Sequence, residues 1–89
     1  MTLRAAAKTD PKALAGALTK SLQTADTMEI HAVGPHAVNQ AMKAIAIARG
    51  YLLSSGPDVS CVPLFMRVQI DDQERTALRL IVGIRDLHV

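Results

Sequence analysis

The hydrophobic residues of this 89-residue chain change their spacing from one segment to the next, and the order of those changes most constrains its fold. Leu3 to Lys8 is short and alternating. Thr9-Asp10-Pro11 follows, an acid suited to cap a helix and a proline suited to its first turn. From Pro11, Leu14, Leu18 and Leu22 recur every four residues, which predicts a first helix running to about Thr24. Met28 to Val33 alternates again and meets Gly34-Pro35, a second strand followed by a turn. His36 to about Leu53 is the longest periodic segment and predicts a second helix. Val38, Met42, Ile45 and Leu52 form its apolar stripe, with Asn39, Gln40 and Lys43 opposite. After the loop Ser54-Ser55-Gly56-Pro57-Asp58, two alternating runs, Val59 to Ile70 and Arg75 to Ile84, read as a β-hairpin joined by Asp71-Asp72-Gln73-Glu74. Pro63 has no amide donor, so its strand belongs at a sheet edge or carries a bulge. Right-handed crossovers stepping the same way set both helices on one face, and the expected architecture is a two-layer α/β sandwich.

Composition narrows the alternatives. Hydrophobic residues make up 49% and charged residues 20%, too apolar for a disordered chain. The length fits one domain over residues 1–89, because each half would be too small for a core of its own. No apolar run approaches the roughly 18 residues of a membrane span, and no hydrophobic leader follows Met1, so no membrane association and a cytoplasmic location are expected. Cys61 is the only cysteine and has no companions at metal-ligand spacing, which leaves neither a disulfide framework nor a metal site. With 14 alanines and only Tyr51 and Phe65 as aromatics, each buried position removes little surface from water. A core this thin favours a homodimer.

The charges are informative through their placement. Ten Lys and Arg against eight Asp and Glu leave a formal +2, mild for a dedicated nucleic-acid protein. Strand parity sorts the hairpin into two faces. Ser60, Val62, Leu64, Met66, Val68 and Ile70 are expected to face the helices, with Thr76, Leu78, Leu80, Val82 and Ile84. The outer face then carries Phe65, Arg67, Gln69, Arg75, Arg79, Ile81 and Arg85, and Arg4 and Lys8 also leave the core. Such a face suits phosphate contact, with Phe65 available for stacking or dimer packing. It equally suits a solvated sheet face on which long cations discourage aggregation and Arg75 pairs with Glu74 or Asp71. Two residues of the second helix break its pattern. Ile47 falls among polar positions and marks a contact with another chain; Arg49 falls on the apolar stripe, where a cation suits the helix C-terminus.

Helix N-termini offer a second anion site. At the first helix Asp10 occupies that place, flanked by Lys8 and Lys12. At the second, Gly34-Pro35 brings no capping side chain, leaving the amides of His36, Ala37 and Val38 for water, a phosphate or a neighbouring group. His31, His36 and His88 fall on a strand, at a turn and near the tail. No Ser-His-Asp order, paired-carboxylate spacing or nucleotide-binding glycine loop accompanies them, so a non-enzyme without cofactor is expected.

The helix text Asn39-Gln40-Ala41-Met42-Lys43-Ala44-Ile45-Ala46-Ile47-Ala48-Arg49-Gly50 and the hairpin text Asp71-Asp72-Gln73-Glu74-Arg75-Thr76-Ala77-Leu78-Arg79-Leu80-Ile81-Val82 resemble the bacterial stage V sporulation protein S family, over about Arg4 to Arg85. More remotely, the strand-loop-helix order and the run from Glu29-Ile30 to Arg49 resemble the archaeal chromatin protein Alba. The resemblance implies an Alba-like β-α-β-α-β-β fold with a mixed four-stranded sheet in the order 1-2-4-3. It also implies a dimer that binds DNA or RNA in a regulatory or chromatin-associated role. Carried over by position, the first loop keeps Lys8, with Lys12 beside it, the second offers His36, and the hairpin offers Arg67, Arg75 and Arg79. The competing expectation is a protein-interaction module in which Ile47, Phe65 and Ile81 make subunit contacts and the arginines only solubilise.

Overall fold

The computed structural model describes residues 2–85. The elements run β1 (Thr2–Ala5), α1 (Pro11–Leu22), β2 (Thr27–Ala32), α2 (Pro35–Leu53), β3 (Asp58–Ile70) and β4 (Gln73–Arg85). The sheet order is β1-β2-β4-β3, with β1 parallel to β2 and the other two pairings antiparallel. Both helices cover one face. No helix among the described residues is long and apolar enough to cross a membrane. His88 lies outside the described residues.

Local chemistry sets the boundaries. β1 stops at Ala5, earlier than the alternation through Lys8 implies, because a turn begins there: Thr9 Oγ1 accepts from the Ala6 amide at 2.7 Å and the Thr9 amide donates to the Ala6 carbonyl at 3.1 Å. Asp10 caps α1 as expected, its Oδ1 accepting from the Lys12 amide at 3.1 Å, with Pro11 in the first turn. At α2 no side chain caps Gly34, whose φ of 91° turns the chain into the helix. The Val38 amide is not free, however; it donates to the Gly34 carbonyl at 3.1 Å. Only the amides of His36 and Ala37 remain beyond the proline. The hairpin turn is tighter than the four-residue link expected, with Asp71 and Asp72 alone between the strands at φ 51° and 61°. Two successive positive φ values are those of a type I′ turn, whose twist matches the strands it joins.

The core lies between sheet and helices, and its largest fully buried side chains are Leu18, Ile30, Leu80 and Val82. Each contributes about 1.5–3 kcal/mol of burial. α2 meets this core with Ala37, Ala41, Ala44 and Ala48, plus Ile45 and Leu52. The expected stripe through Val38 and Met42 is therefore corrected by about one residue of rotation: Met42 is 45% exposed and Val38 only packs at the margin. Small side chains are what fit where α2 crosses both α1 and the sheet, and a period count that weights large residues misses them. Ile47, the apolar residue among polar positions, packs half-buried against the core. Arg49 finds its partner in β3 and not at its own helix end: its Nε donates to Asp58 Oδ1 at 2.7 Å.

The second correction concerns β3. Register pairs Cys61 with Val82, Pro63 with Leu80, Phe65 with Leu78 and Arg67 with Thr76, so these β3 residues share the helix side with the core residues of β4. Val62, Leu64, Met66, Val68 and Ile70 face away, the reverse of the parity expected. Accordingly Val59 and Cys61 pack against the core, whereas Val62 is 54% and Leu64 40% exposed. Arg67 and Phe65 thus leave the outer face, while Arg75, Arg79 and Arg85 stay there with Ile81. The cause is compositional: the outward positions of this strand are more uniformly aliphatic than its inward ones. Beyond the Ala32–Leu78 pair, β3 and β4 continue as a two-stranded arm. β3 is an edge strand, as Pro63 requires. Counting alternate pairs back from the turn makes Pro63–Leu80 a non-hydrogen-bonded pair, so the proline nitrogen points to the free edge.

Leu18 tests the packing. Leu18→Ala is expected to lower the unfolding free energy by about 2–5 kcal/mol, read from the shift of the urea midpoint. A loss below about 1 kcal/mol would show that α1 is not held in this interface.

Candidate nucleic-acid interface

The predicted cations fall into two groups. Lys8 lies in the turn after β1 and Lys12 in the first turn of α1, both exposed. His36 is exposed in the first turn of α2. The two segments are joined by one hydrogen bond: the Gln40 side-chain amide donates to the Thr9 carbonyl at 2.8 Å. Helical spacing sets His36, Gln40, Lys43 and Ile47 along one side of α2. Lys12 and Lys43 accordingly border a common depression with Asp10, Pro11, Ala46 and Ile47. Lys43 was visible in the sequence only as a polar position of the helix. Its spacing of three from Gln40 could have revealed it, had Gln40 been known to touch the first loop. Among the described residues, Lys8, Lys12 and Lys43 form no ion pair.

The second group is the sheet and its arm, and here carboxylates intervene. A row crosses the outer face from Arg4 through His31 and Arg79 to Leu64. Arg79 grips Glu29 with two bonds, Nε to Oε1 at 2.6 Å and Nη2 to Oε2 at 2.8 Å, while His31 Nε2 lies 3.1 Å from Oε1. This fork geometry is the strong form of an arginine–carboxylate pair. The Arg79 hydrogen bonds, seconded by His31, hold the Glu29 carboxyl down at about 2 against a slight opposing effect of burial, and the same contact raises Arg79. Arg67 lies on the helix side of the arm and donates from Nη1 to Glu74 Oε1 at 2.9 Å; both side chains are open to solvent, so the pair is weak. Arg75 stands opposite Val68, exposed, with no ion pair among the described residues. The expected pairing of Arg75 with Glu74 is therefore corrected: Glu74 serves Arg67. The third carboxylate clamp is structural. Asp58 is buried at the start of β3, and its Oδ1 accepts from Arg49 and, at 2.7 Å, from the Val59 amide, which lowers its pKa. Among the described residues no cluster of three His, Cys, Asp or Glu could hold a metal ion.

The arrangement presents free positive charge at the joined loop and helix; on the sheet Glu29 compensates Arg79, while Arg4 and Arg75 form no ion pair among the described residues. Glu29 supplies a test of that compensation. Its folded pKa lies below the usual 4.5, so its contribution to stability is complete above that value and is lost as pH falls through about 2. A carbon-detected NMR titration of the Glu29 carboxyl is expected to show a midpoint near the lower figure, moving up towards 4.5 in Arg79→Gln. An ordinary midpoint in the parent protein would break the outer-face cluster apart.

Comparison with known proteins agrees with this architecture. Alba from Thermoplasma volcanium superposes with a TM-score of 0.59 at 12% sequence identity, covering 96% of this chain and 99% of that one. At that identity the likeness is one of fold. The family model described as stage V sporulation protein S (SpoVS) matches residues 1–85. The Alba-like topology and the match across all six elements together place this chain in the stage V sporulation protein S family.

Proposed function

We propose that the protein binds the phosphate backbone of DNA or RNA through the surface where the β1–α1 loop meets α2, and that it works as a binding protein with a regulatory or chromatin-associated role, without catalysis. The observation that carries this reading is the Gln40–Thr9 hydrogen bond, which fixes Lys8 and Lys12 on the loop relative to His36 and Lys43 on the helix. A loop already held in place loses little backbone freedom on meeting a polyanion. Three unpaired lysines and the free amides at the start of α2 supply the contacts that position a backbone without reading bases. Arg75 adds a cation without an ion pair on the outer face of the arm. Arg67 and Arg79 contribute less, since each must first be released from a carboxylate. An Alba-like fold adds weight, as such folds often bind nucleic acids.

Fluorescence anisotropy with labelled duplex DNA and with single-stranded RNA, repeated over salt concentrations, measures this directly. Three lysines per chain predict a log–log slope near −3 for duplex DNA, from about −0.9 per phosphate neutralised. Lys12→Glu with Lys43→Glu is expected to flatten the slope by about two, whereas Arg79→Gln leaves it nearly unchanged. Absence of binding at low salt, or insensitivity to the lysine changes, would overturn the assignment.

A further inference from the structure

The two sides of the arm differ in chemistry. Along β3 the outer side is aliphatic, whereas the helix side of the arm carries Phe65, Arg67 and Gln69 from β3 and Thr76 from β4, an aromatic ring among cationic and hydrogen-bonding groups. Phe65 stands where the arm leaves the sheet, in the row Ala32–Leu78–Phe65. Leu78 packs against the core, but Phe65, one strand further out, lies beyond the cover of the helices and stays 83% exposed. No other large apolar side chain among the described residues is as open to water. We infer that Phe65 is a stacking platform for an unpaired nucleobase, so that the preferred nucleic acid is single-stranded or locally unpaired. This rests on the backbone contact proposed above and adds a substrate class to it.

The surroundings of the ring favour that occupant. Phe65 borders two depressions. The first, of about 210 Å³, lies between the arm and the start of α2, where Gly34 and Val38 form its wall. His36 is exposed on the same turn, and Gln40, one turn on, carries the tether to the β1–α1 loop. A strand seated on the loop and helix therefore reaches the ring along a continuous surface. The second depression, of about 490 Å³, is lined by Phe65, Met66, Arg67 and Thr76. Arg67 is open to solvent and held only by its weak pair with Glu74, so its guanidinium can turn to a phosphate or a base edge. A nucleotide brings an aromatic face for the ring and an anion for the arginine together. An apolar side chain of a protein partner would satisfy the ring alone and desolvate the cation beside it. Every base has a π-face, so stacking tolerates any sequence. In a duplex those faces are taken by the neighbouring pairs, and a blunt duplex gains the phosphate contacts only.

Anisotropy with a single-stranded RNA, the DNA strand of the same sequence, its blunt duplex and a strand of abasic sites tests the inference. Phe65→Leu is expected to weaken binding to both single strands about tenfold and to leave the duplex and the abasic strand unchanged. The salt slope should stay as it was, because no phosphate contact is lost. The chain has no tryptophan, so Phe65→Trp sets a single indole at the site. Its fluorescence is expected to be quenched by either single strand and not by the blunt duplex. Equal loss on duplex and single strands, a loss confined to RNA or to DNA, or an unquenched indole would refute the stacking role. So would a Phe65→Leu chain whose sedimentation mass falls, since the ring would then serve a subunit contact. If Lys12→Glu with Lys43→Glu flattens the slope on every probe while Phe65→Leu changes none, the backbone reading stands and the stacking role falls. If the lysine changes do nothing while Phe65→Leu selectively weakens single strands, the reverse holds.

Discussion

The alanine face of α2 governs the arrangement of everything around it. Ala37, Ala41, Ala44 and Ala48 are almost fully buried, and Leu14, Leu18 and Leu22 of α1 fill the space that larger side chains on α2 would have taken. Interaxial distance depends on the side chains at the contact, and methyl groups permit a close one. Close approach fixes the rotation of α2 about its axis. That rotation turns Gln40 towards the first loop, Lys43 towards Lys12, and Arg49 towards Asp58. One packing choice thereby sets the cationic surface, the tether beneath it and the clamp at the foot of the hairpin.

Charge pairing then divides the surface in two. Where neighbouring strands bring Glu29, His31 and Arg79 side by side, an acid and a base neutralise each other at the centre of the outer face. Where the loop and helix meet, the neighbours are lysines, an amide and a histidine, and Asp10 is engaged with the backbone of its own helix. A chain of formal charge +2 can in this way hold a local positive field that its net charge does not announce.

The order of elements, the caps at Asp10 and Gly34, and the edge position of β3 were all legible in the residues, because each rests on short-range chemistry: a period, a capping oxygen, a missing donor. The parity of β3 and the rotation of α2 were not. Both were read by asking where the larger apolar side chains point: on β3 the regular aliphatic series points away from the core, and on α2 Met42 and Val38 leave the core face to alanines although Ile45 and Leu52 stay in it. Hydrophobic pattern reports which surfaces avoid water, without saying whether the shelter is the chain's own core. The remoter resemblance to Alba supplied the strand order that periodicity alone left open. The site was legible as a set of cations in two loops and a hairpin; the carboxylates facing Arg67 and Arg79 were hidden because Glu74 and Glu29 lie seven and fifty residues away in sequence.

The tether between Gln40 and Thr9 has a dynamic corollary. A five-residue connection between β1 and α1 that is pinned to a neighbouring helix at a single point can swing free whenever that point is released. An anion spanning both sides of the pin would have to be let go, at least in part, before the connection could move. Occupancy would therefore appear as slowed exchange of the amide hydrogens around Ala6 and Thr9, in a stretch that otherwise belongs to the least protected part of such a fold.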